Sequence, residues 1–337
     1  MSFRIALNFE DGVTRFITCA PGETVAEATI RQGVRIPLDC REGACGTCKS
    51  FCESGRFLLS DYLTDALSDD ERAEGFVLPC KLRPKSDCVL IIPAAFSTSG
   101  PGAEDREVVA TISALDLLSP TVIRLVLTGP VVAALDFLPG QYARIFIPDS
   151  VESRAYSFSS LARDGHVKFL IKNIPQGKMS GRLARSAKIG DELRFTAPYG
   201  SFYLRKVERP LLFIAGGTGL GPFLAMLETL ENNKTALPVR LVYGVNTDED
   251  LVELALLAKF KETLPDFTFV ACVASSADAG RVRGVVTDHL PPKEFFELNA
   301  DVYACGPPPM IAAVEAYFRA YDIKCANLYY EKFLPNV

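Results

Sequence analysis

The stretch CREGACGTCKS, residues 40–50, holds three cysteines within nine positions, separated by small residues and glycines. Cys40, Cys45 and Cys48 have the spacing C-x4-C-x2-C, and Cys80 follows after 31 intervening residues. A structural zinc site would offer two C-x2-C pairs, or one pair with histidines. Only one such pair exists here, and His166 and His289 are far away in sequence. A redox dithiol would set its C-x2-C at a helix start after a strand. The spacing fits four thiolates around two irons, a 2Fe–2S cluster, with Cys40, Cys45, Cys48 and Cys80 as the metal ligands. Gly43, Ala44 and Gly46 let the backbone come close to sulfur, and amide hydrogen bonds to sulfur tune the potential. Cys52 and Cys88 are expected to be packing cysteines, with Cys52 a minor rival ligand because it lies close to Cys48.

Outward from this loop, the 337-residue chain is long enough for two or three domains. A net charge of −5 without basic runs argues against nucleic acid or an anionic membrane as partner. No apolar run approaches the roughly 18 residues that span a bilayer. The N-terminus alternates Phe3, Ile5, Leu7 and Phe9, a strand pattern rather than a targeting segment. Ten cysteines then suggest thiols in a reducing, cytoplasmic setting. The acidic composition leans toward a monomer.

Two breaks divide the chain. PAAFSTSGPGAED, 93–105, reads as a linker, and RKVERP, 205–210, as a charged turn. The first module, 1–95, mixes short strands with one helix in 23–33, where Val25, Ala26, Ala28 and Ile30 form the apolar face and Gly33 the cap. The second, 106–206, has regular short strands and one helical patch, which predicts a small antiparallel barrel. The third, 207–337, alternates apolar strands with helices, which predicts a parallel, doubly wound sheet. The fold class is therefore multidomain: α+β, then antiparallel β-barrel, then α/β.

The later modules carry their own motifs. RAYS, 154–157, places Arg154 and Tyr156 on one face of a strand and Ser157 on the other; the bland reading is a half-buried edge strand. GKMS, 177–180, opens a helix whose free N–H groups favour a pyrophosphate. GGTGLGP, 216–222, follows an apolar strand and precedes a helix, as a dinucleotide turn would. Acidic residues 248–250 follow the next strand, and no Arg occurs between 241 and 280, which suggests a free ribose and NADH. Capping of the next helix explains the same acids equally well. CGPPPM, 305–310, ends the last apolar strand, at the sheet edge where ligands bind.

With these motifs in place, the chain resembles, over essentially its whole length, a plant-type ferredoxin fused to a ferredoxin–NADP reductase-like module. It is most similar to reductase components of benzoate-type aromatic-ring dioxygenases. CREGACGTCKSFCESG, RAYSFSS, NIPQGKMS, GSFYLR, AGGTGLGPF and EKF carry the resemblance. The resemblance implies a β-grasp-like ferredoxin domain, an FAD-binding barrel and an NADH-binding α/β domain. It implies that Arg154 contacts the flavin diphosphate, that Tyr156 packs on the flavin ring and that Ser157 lies near its reactive nitrogen. Gly177, Lys178, Met179 and Ser180 would hold the pyrophosphate, and Gly216, Gly217, Thr218 and Gly219 the nicotinamide nucleotide. Cys305 would sit near the nicotinamide, with Glu331 and Phe333 closing the other side of the flavin; four residues follow that Phe.

The implied partner is a terminal Rieske oxygenase. NADH supplies a two-electron hydride and the cluster accepts one electron, so FAD must stand between them. A reductase for a diiron monooxygenase is the runner-up, and an iron–sulfur redox sensor without turnover the reading from another class. The acidic segment 53–74, seven carboxylates against two arginines, is a candidate docking surface; a solvated face is the bland alternative.

Overall fold

The computed structural model describes residues 2–96, 106–163, 165–276 and 278–333. Residues 97–105, most of the expected linker, lie outside the described residues, as do the last four. The chain forms two compact units, Met1–Arg106 with Tyr199–Ser201, and Glu107–Pro198 with Phe202–Val337.

The first unit is built on a five-stranded mixed sheet. Its spatial order is Thr14–Cys19, Phe3–Phe9, Cys88–Ile92, Ser50–Ser54, Phe76–Val77. The strand Phe3–Phe9 runs antiparallel to Thr14–Cys19 and parallel to Cys88–Ile92. Its alternation predicts one buried face, and Ile5, Leu7 and Phe9 are in the core. The helix Val25–Arg31 packs against that sheet. It starts with a reciprocal cap: Glu27 N–H donates to Thr24 Oγ1 (3.2 Å) and Thr24 N–H to Glu27 Oε2 (2.7 Å). Gly33, at φ +67°, follows its end, as the cap reading required. One expectation fails. Ile30 is 50% exposed, and Thr29 is buried in its place, its hydroxyl donating to the Ala26 carbonyl at 2.7 Å. A satisfied hydroxyl enters a core at little cost, so hydropathy alone misassigned that position.

The second unit has two sheets. The first is antiparallel, in the order Ser153–Ser157, Tyr142–Phe146, Glu192–Tyr199, Arg106–Ser119, Val122–Thr128, His166–Lys172. A bridge between Phe158 and Phe169, continued by Ser159 N–H to the Lys168 carbonyl (2.8 Å), joins the two outer strands and closes the barrel. Alternate residues such as Ile123, Leu125, Leu127, Val167 and Phe169 fill it.

The second sheet is parallel, in the order Val282–Arg283, Phe267–Ser275, Val239–Thr247, Leu211–Gly216, Asp301–Gly306, Asn327–Lys332. Strand order reverses beside Leu211–Gly216, which lies between the strand that follows it and Asp301–Gly306. Doubly wound sheets bind ligands at the carboxyl ends of the strands at such a point.

Barrel and parallel sheet share one apolar cluster. Val122, Leu170 and Phe202 pack with Leu211, Phe213 and Phe223. The charged turn 205–210 is pinned as well: Arg205 N–H donates to Tyr303 Oη at 3.1 Å, and its guanidinium stacks on Tyr203 and Tyr329. The acidic run at 248 does not lead straight into the next helix. Asp248–Asp250 is a short 3₁₀ turn, Glu253 takes φ +59°, and the helix proper is Leu254–Thr263. Glu253 instead meets Arg124 of the barrel, 3.1 Å away and mostly buried.

Candidate functional site

The residues from Cys40 to Ala44 wrap around one sulfur. The N–H groups of Glu42, Ala44 and Cys45 each point at Cys40 Sγ from 3.4 Å. The turn needs Gly43 (φ +73°) and Gly46 (φ +72°), since that region strains other residues. A Cβ at Gly43 would also stand 2.8 Å from Tyr62 Cβ. The segment after Ser60 folds over the loop, with Leu63 N–H donating to the Gly43 carbonyl at 3.0 Å.

The four sulfurs form two pairs. Cys45 shares a thiol hydrogen bond with Cys40, and Cys48 lies 3.4 Å from Cys80. Among the described residues no three His, Cys, Asp or Glu side chains converge on one point. Two pairs, two ligands per iron, match a binuclear cluster rather than a single tetrahedral ion. Bonding to the Cys45 thiol, then to the three N–H groups, outweighs burial and lowers the Cys40 thiol below its usual range. The residues present fit the cluster. The Cys52 thiol is engaged elsewhere: it pairs with Cys88 and contacts the Ser54 carbonyl (3.4 Å) between strands Ser50–Ser54 and Cys88–Ile92.

Between Cys48 and Cys80, the short helix Asp69–Ala73 is anchored from inside. Glu71 binds Lys49 at 2.6 Å, with side chains only 11% and 13% exposed, and accepts the Ser68 N–H at 2.8 Å. Glu71 therefore leaves the acidic surface expected over 53–74, where Glu53, Asp61, Asp65, Asp69, Asp70 and Glu74 remain exposed with Arg56 and Arg72. Removing one partner strands a buried charge, so Glu71→Ala is expected to destabilise this unit by about 3–5 kcal/mol. Thermal unfolding followed through the cluster's visible absorbance measures it, and an unshifted midpoint would refute the anchoring role.

In the second unit, the strand Ser153–Ser157 and the helix Lys178–Arg185 meet through a residue that the motif reading missed. Glu152 binds Arg154 Nη2 at 3.1 Å and Lys178 Nζ at 2.6 Å. One carboxylate thus gathers the two cations assigned to a diphosphate. The signal was available, because Glu152 stands two residues before Arg154, on the same face of the chain. Met179 is buried in the barrel core, and Ser180 Oγ closes the turn with Ile174, accepting its N–H and facing its carbonyl at 3.1 Å. What these residues offer an anion is the orphan N–H groups of the helix's first turn. Tyr156 packs on the barrel core, and burial pushes its phenol up.

The switch point of the parallel sheet is crowded with backbone. A Cβ on Gly219 would stand 2.7 Å from the Cys305 carbonyl carbon, and one on Gly216 2.6 Å from Met310 Sδ. Gly217, at φ +56°, meets nothing within 4 Å, so a ligand's phosphates can approach there. Ser157, Cys305 and Glu331 come together. Cys305 pairs in register with Glu331, whose Oε2 accepts from Ser157 Oγ at 3.4 Å. Cys305 is fully buried, and burial, then the Glu331 charge, raises its thiol well above the usual range. It is a neutral wall rather than a thiolate. Phe333 N–H donates to the Gly306 carbonyl at 2.8 Å, and its ring is half-buried against the sheet's core.

Family models match in chain order: 2Fe-2S iron-sulfur cluster binding domain (residues 8–85), Oxidoreductase FAD-binding domain (110–203) and Oxidoreductase NAD-binding domain (213–316). The toluate 1,2-dioxygenase electron transfer component of Pseudomonas putida is 48% identical over 337 residues, all of both chains. The chain belongs to the family of 1,2-dioxygenase electron transfer components. Another member, the 2-halobenzoate 1,2-dioxygenase component of Burkholderia cepacia, is 46% identical over all of this chain and 99% of its own. The crystal structure of an Amycolatopsis cytochrome P450 reductase superposes with TM-score 0.71 at 29% identity, covering 98% of this chain and 99% of that one. As a member of this family, the chain is an NADH-dependent iron–sulfur flavoprotein oxidoreductase that uses a 2Fe–2S cluster, FAD and NADH. Among its described residues no helix is long and apolar enough to cross a membrane.

Proposed function

We propose that the chain draws electrons from NADH and delivers them singly to the terminal Rieske oxygenase of a benzoate-type ring dioxygenase. The observation that carries this is the end-to-end match to the toluate dioxygenase component. Three modules serve it: 1–95 for the cluster, 106–206 for FAD, 207–337 for NADH. When bound, the flavin takes up the hydride pair and the cluster passes electrons on one at a time.

The residues bind and orient. Cys40, Cys45, Cys48 and Cys80 would hold the cluster. Arg154, Lys178 and the turn at Gly177, Met179 and Ser180 neutralise the flavin diphosphate, with Glu152 setting the two cations. Tyr156 covers the flavin ring and Ser157 hydrogen-bonds beside its reactive edge. Gly216, Gly217, Thr218 and Gly219 admit the nicotinamide nucleotide. Cys305, kept neutral, packs by the nicotinamide, while Glu331 positions Ser157 and Phe333 shields the site from water. The exposed carboxylates of 53–74 steer a basic oxygenase surface to the cluster. A cytoplasmic monomer accords with free thiols at all ten cysteines.

An anaerobic NADH titration, followed by turnover with a purified ring-dioxygenase oxygenase at rising salt, tests the reading. Bleaching of flavin and cluster bands, then turnover that slows as salt rises, is expected. Turnover with a diiron monooxygenase alone would replace the conclusion with the runner-up. Purified chain without flavin would refute the roles given to residues 154–180. A salt-independent rate would remove the steering role.

A further inference from the structure

The strands Val239–Thr247 and Phe267–Ser275 run parallel, with Thr247 opposite Ser275. Their carboxyl ends therefore place Asp248 beside Ser276. Ser276 Oγ lies 2.7 and 2.9 Å from the two carboxylate oxygens of Asp248. Arg281 reaches the same carboxylate, its Nε 3.9 Å from Asp248 Oδ1, and stands 3.6 Å from Asp278 Oδ2. The stretch without arginine read from the sequence, 241–280, stops one residue short of it.

The structure also separates the two explanations of the acidic run. Asp250 is the capping acid, its Oδ2 accepting from Thr247 N–H (3.2 Å) and Oγ1 (3.0 Å). Asp248 is spent instead on the sheet edge. In a doubly wound nucleotide fold, the end of the second strand meets the adenosine ribose, where an acid accepts from a 2′-hydroxyl and an arginine accommodates a 2′-phosphate. Both groups are present here, and two carboxylates hold the arginine.

We propose that Asp248 determines nucleotide choice in two ways, by accepting the ribose 2′-hydroxyl of NADH and by neutralising Arg281, which otherwise makes this edge competent for the 2′-phosphate of NADPH. Selection thus rests on an ion pair and not on the lack of a cation. This refines the NADH site of the reading above and does not depend on which oxygenase is served.

The test uses the holoprotein with ferricyanide as acceptor, so no partner is needed. The variants are Asp248→Asn, Asp278→Asn and Asp248→Asn with Arg281→Ala. Charged hydrogen bonds of this kind correspond to roughly 10- to 100-fold in affinity. Asp248→Asn is expected to raise kcat/KM for NADPH and lower it for NADH, each by about that factor. The exposed Asp278→Asn should raise the NADPH value by less, and adding Arg281→Ala should abolish the gain. Calorimetry with AMP and adenosine 2′,5′-bisphosphate supplies a readout free of redox chemistry. Asp248→Asn should gain affinity for the bisphosphate only. An unchanged NADPH-to-NADH ratio with AMP binding intact would overturn the proposal, and so would a gain that survives loss of Arg281. A wild type that binds neither nucleotide would refute the site itself.

Discussion

Cys80→Ser is expected to abolish NADH-driven cytochrome c reduction, by about 100-fold or more, while ferricyanide reduction persists. Losing even a group behind a ligand typically costs 10- to 100-fold in metal affinity, and Cys80 is proposed as a ligand itself. It lies 3.4 Å from Cys48 and is 7% exposed, so solvent has little access as a substitute. The change falls in the unit Met1–Arg106, whereas the residues proposed for flavin and nucleotide fall in the other. Two-electron uptake therefore continues and ferricyanide can collect it, but the one-electron outlet is gone. Iron content and visible absorbance should fall together. Cys52→Ala is the companion variant. Its thiol contacts Cys88 and the Ser54 carbonyl, away from the loop, so it should keep its iron. Iron lost with Cys52→Ala and kept with Cys80→Ser would reverse the ligand assignment.

Gly219→Ala should be the most damaging single methyl in the nucleotide crevice. The added carbon would meet the Cys305 carbonyl group and stand 3.1 Å from Gly306 Cα. All of these are backbone atoms in the parallel ladder and cannot swing aside. Overpacking of this kind costs about 1–3 kcal/mol, and the strain is released by moving the Gly-rich turn off the strand that carries Cys305. The nicotinamide pocket widens as a result, and kcat/KM for NADH should fall by about 10- to 100-fold. Gly217→Ala is the contrast. Its Cβ meets nothing within 4 Å, so only the left-handed backbone at φ +56° resists, at about 1–2 kcal/mol. Rapid-mixing measurement of flavin bleaching by NADH ranks the two. Equal rates in wild type and Gly219→Ala would show that the contact between turn and strand does not shape the site.

Much of this molecule was legible from local chemistry. The cysteine spacing singles out Cys40, Cys45, Cys48 and Cys80, because a loop that wraps on itself can bring residues five positions apart together. Strand alternation in 3–9 and the apolar run at 211–215 identify half-buried and fully buried strands, because side-chain direction repeats every two residues. GGTGLGP marks a strand-to-helix turn because so many adjacent glycines are otherwise costly. The places where reading failed have one cause. Thr29 replaces Ile30 in the core, Glu71 leaves the acidic face, Glu253 breaks a helix, and Arg281 lies beside Asp248. Each depends on a partner distant in the chain or across a turn: Lys49 for Glu71, Arg124 for Glu253, the parallel neighbour strand for Asp248.

The sequence by itself determined which elements form, which cysteines can ligate and which cofactors the motifs suit, because spacing and periodicity are local properties of the chain. Only the tertiary structure decided that the four thiols fall into two pairs, that Glu152 gathers Arg154 with Lys178, and that Ser157, Cys305 and Glu331 share one site. It also decided that Arg281 is held beside Asp248 at the edge of the parallel sheet. Charges and hydrogen-bonding groups act through distance in space, and the register of strands far apart in the chain sets that distance.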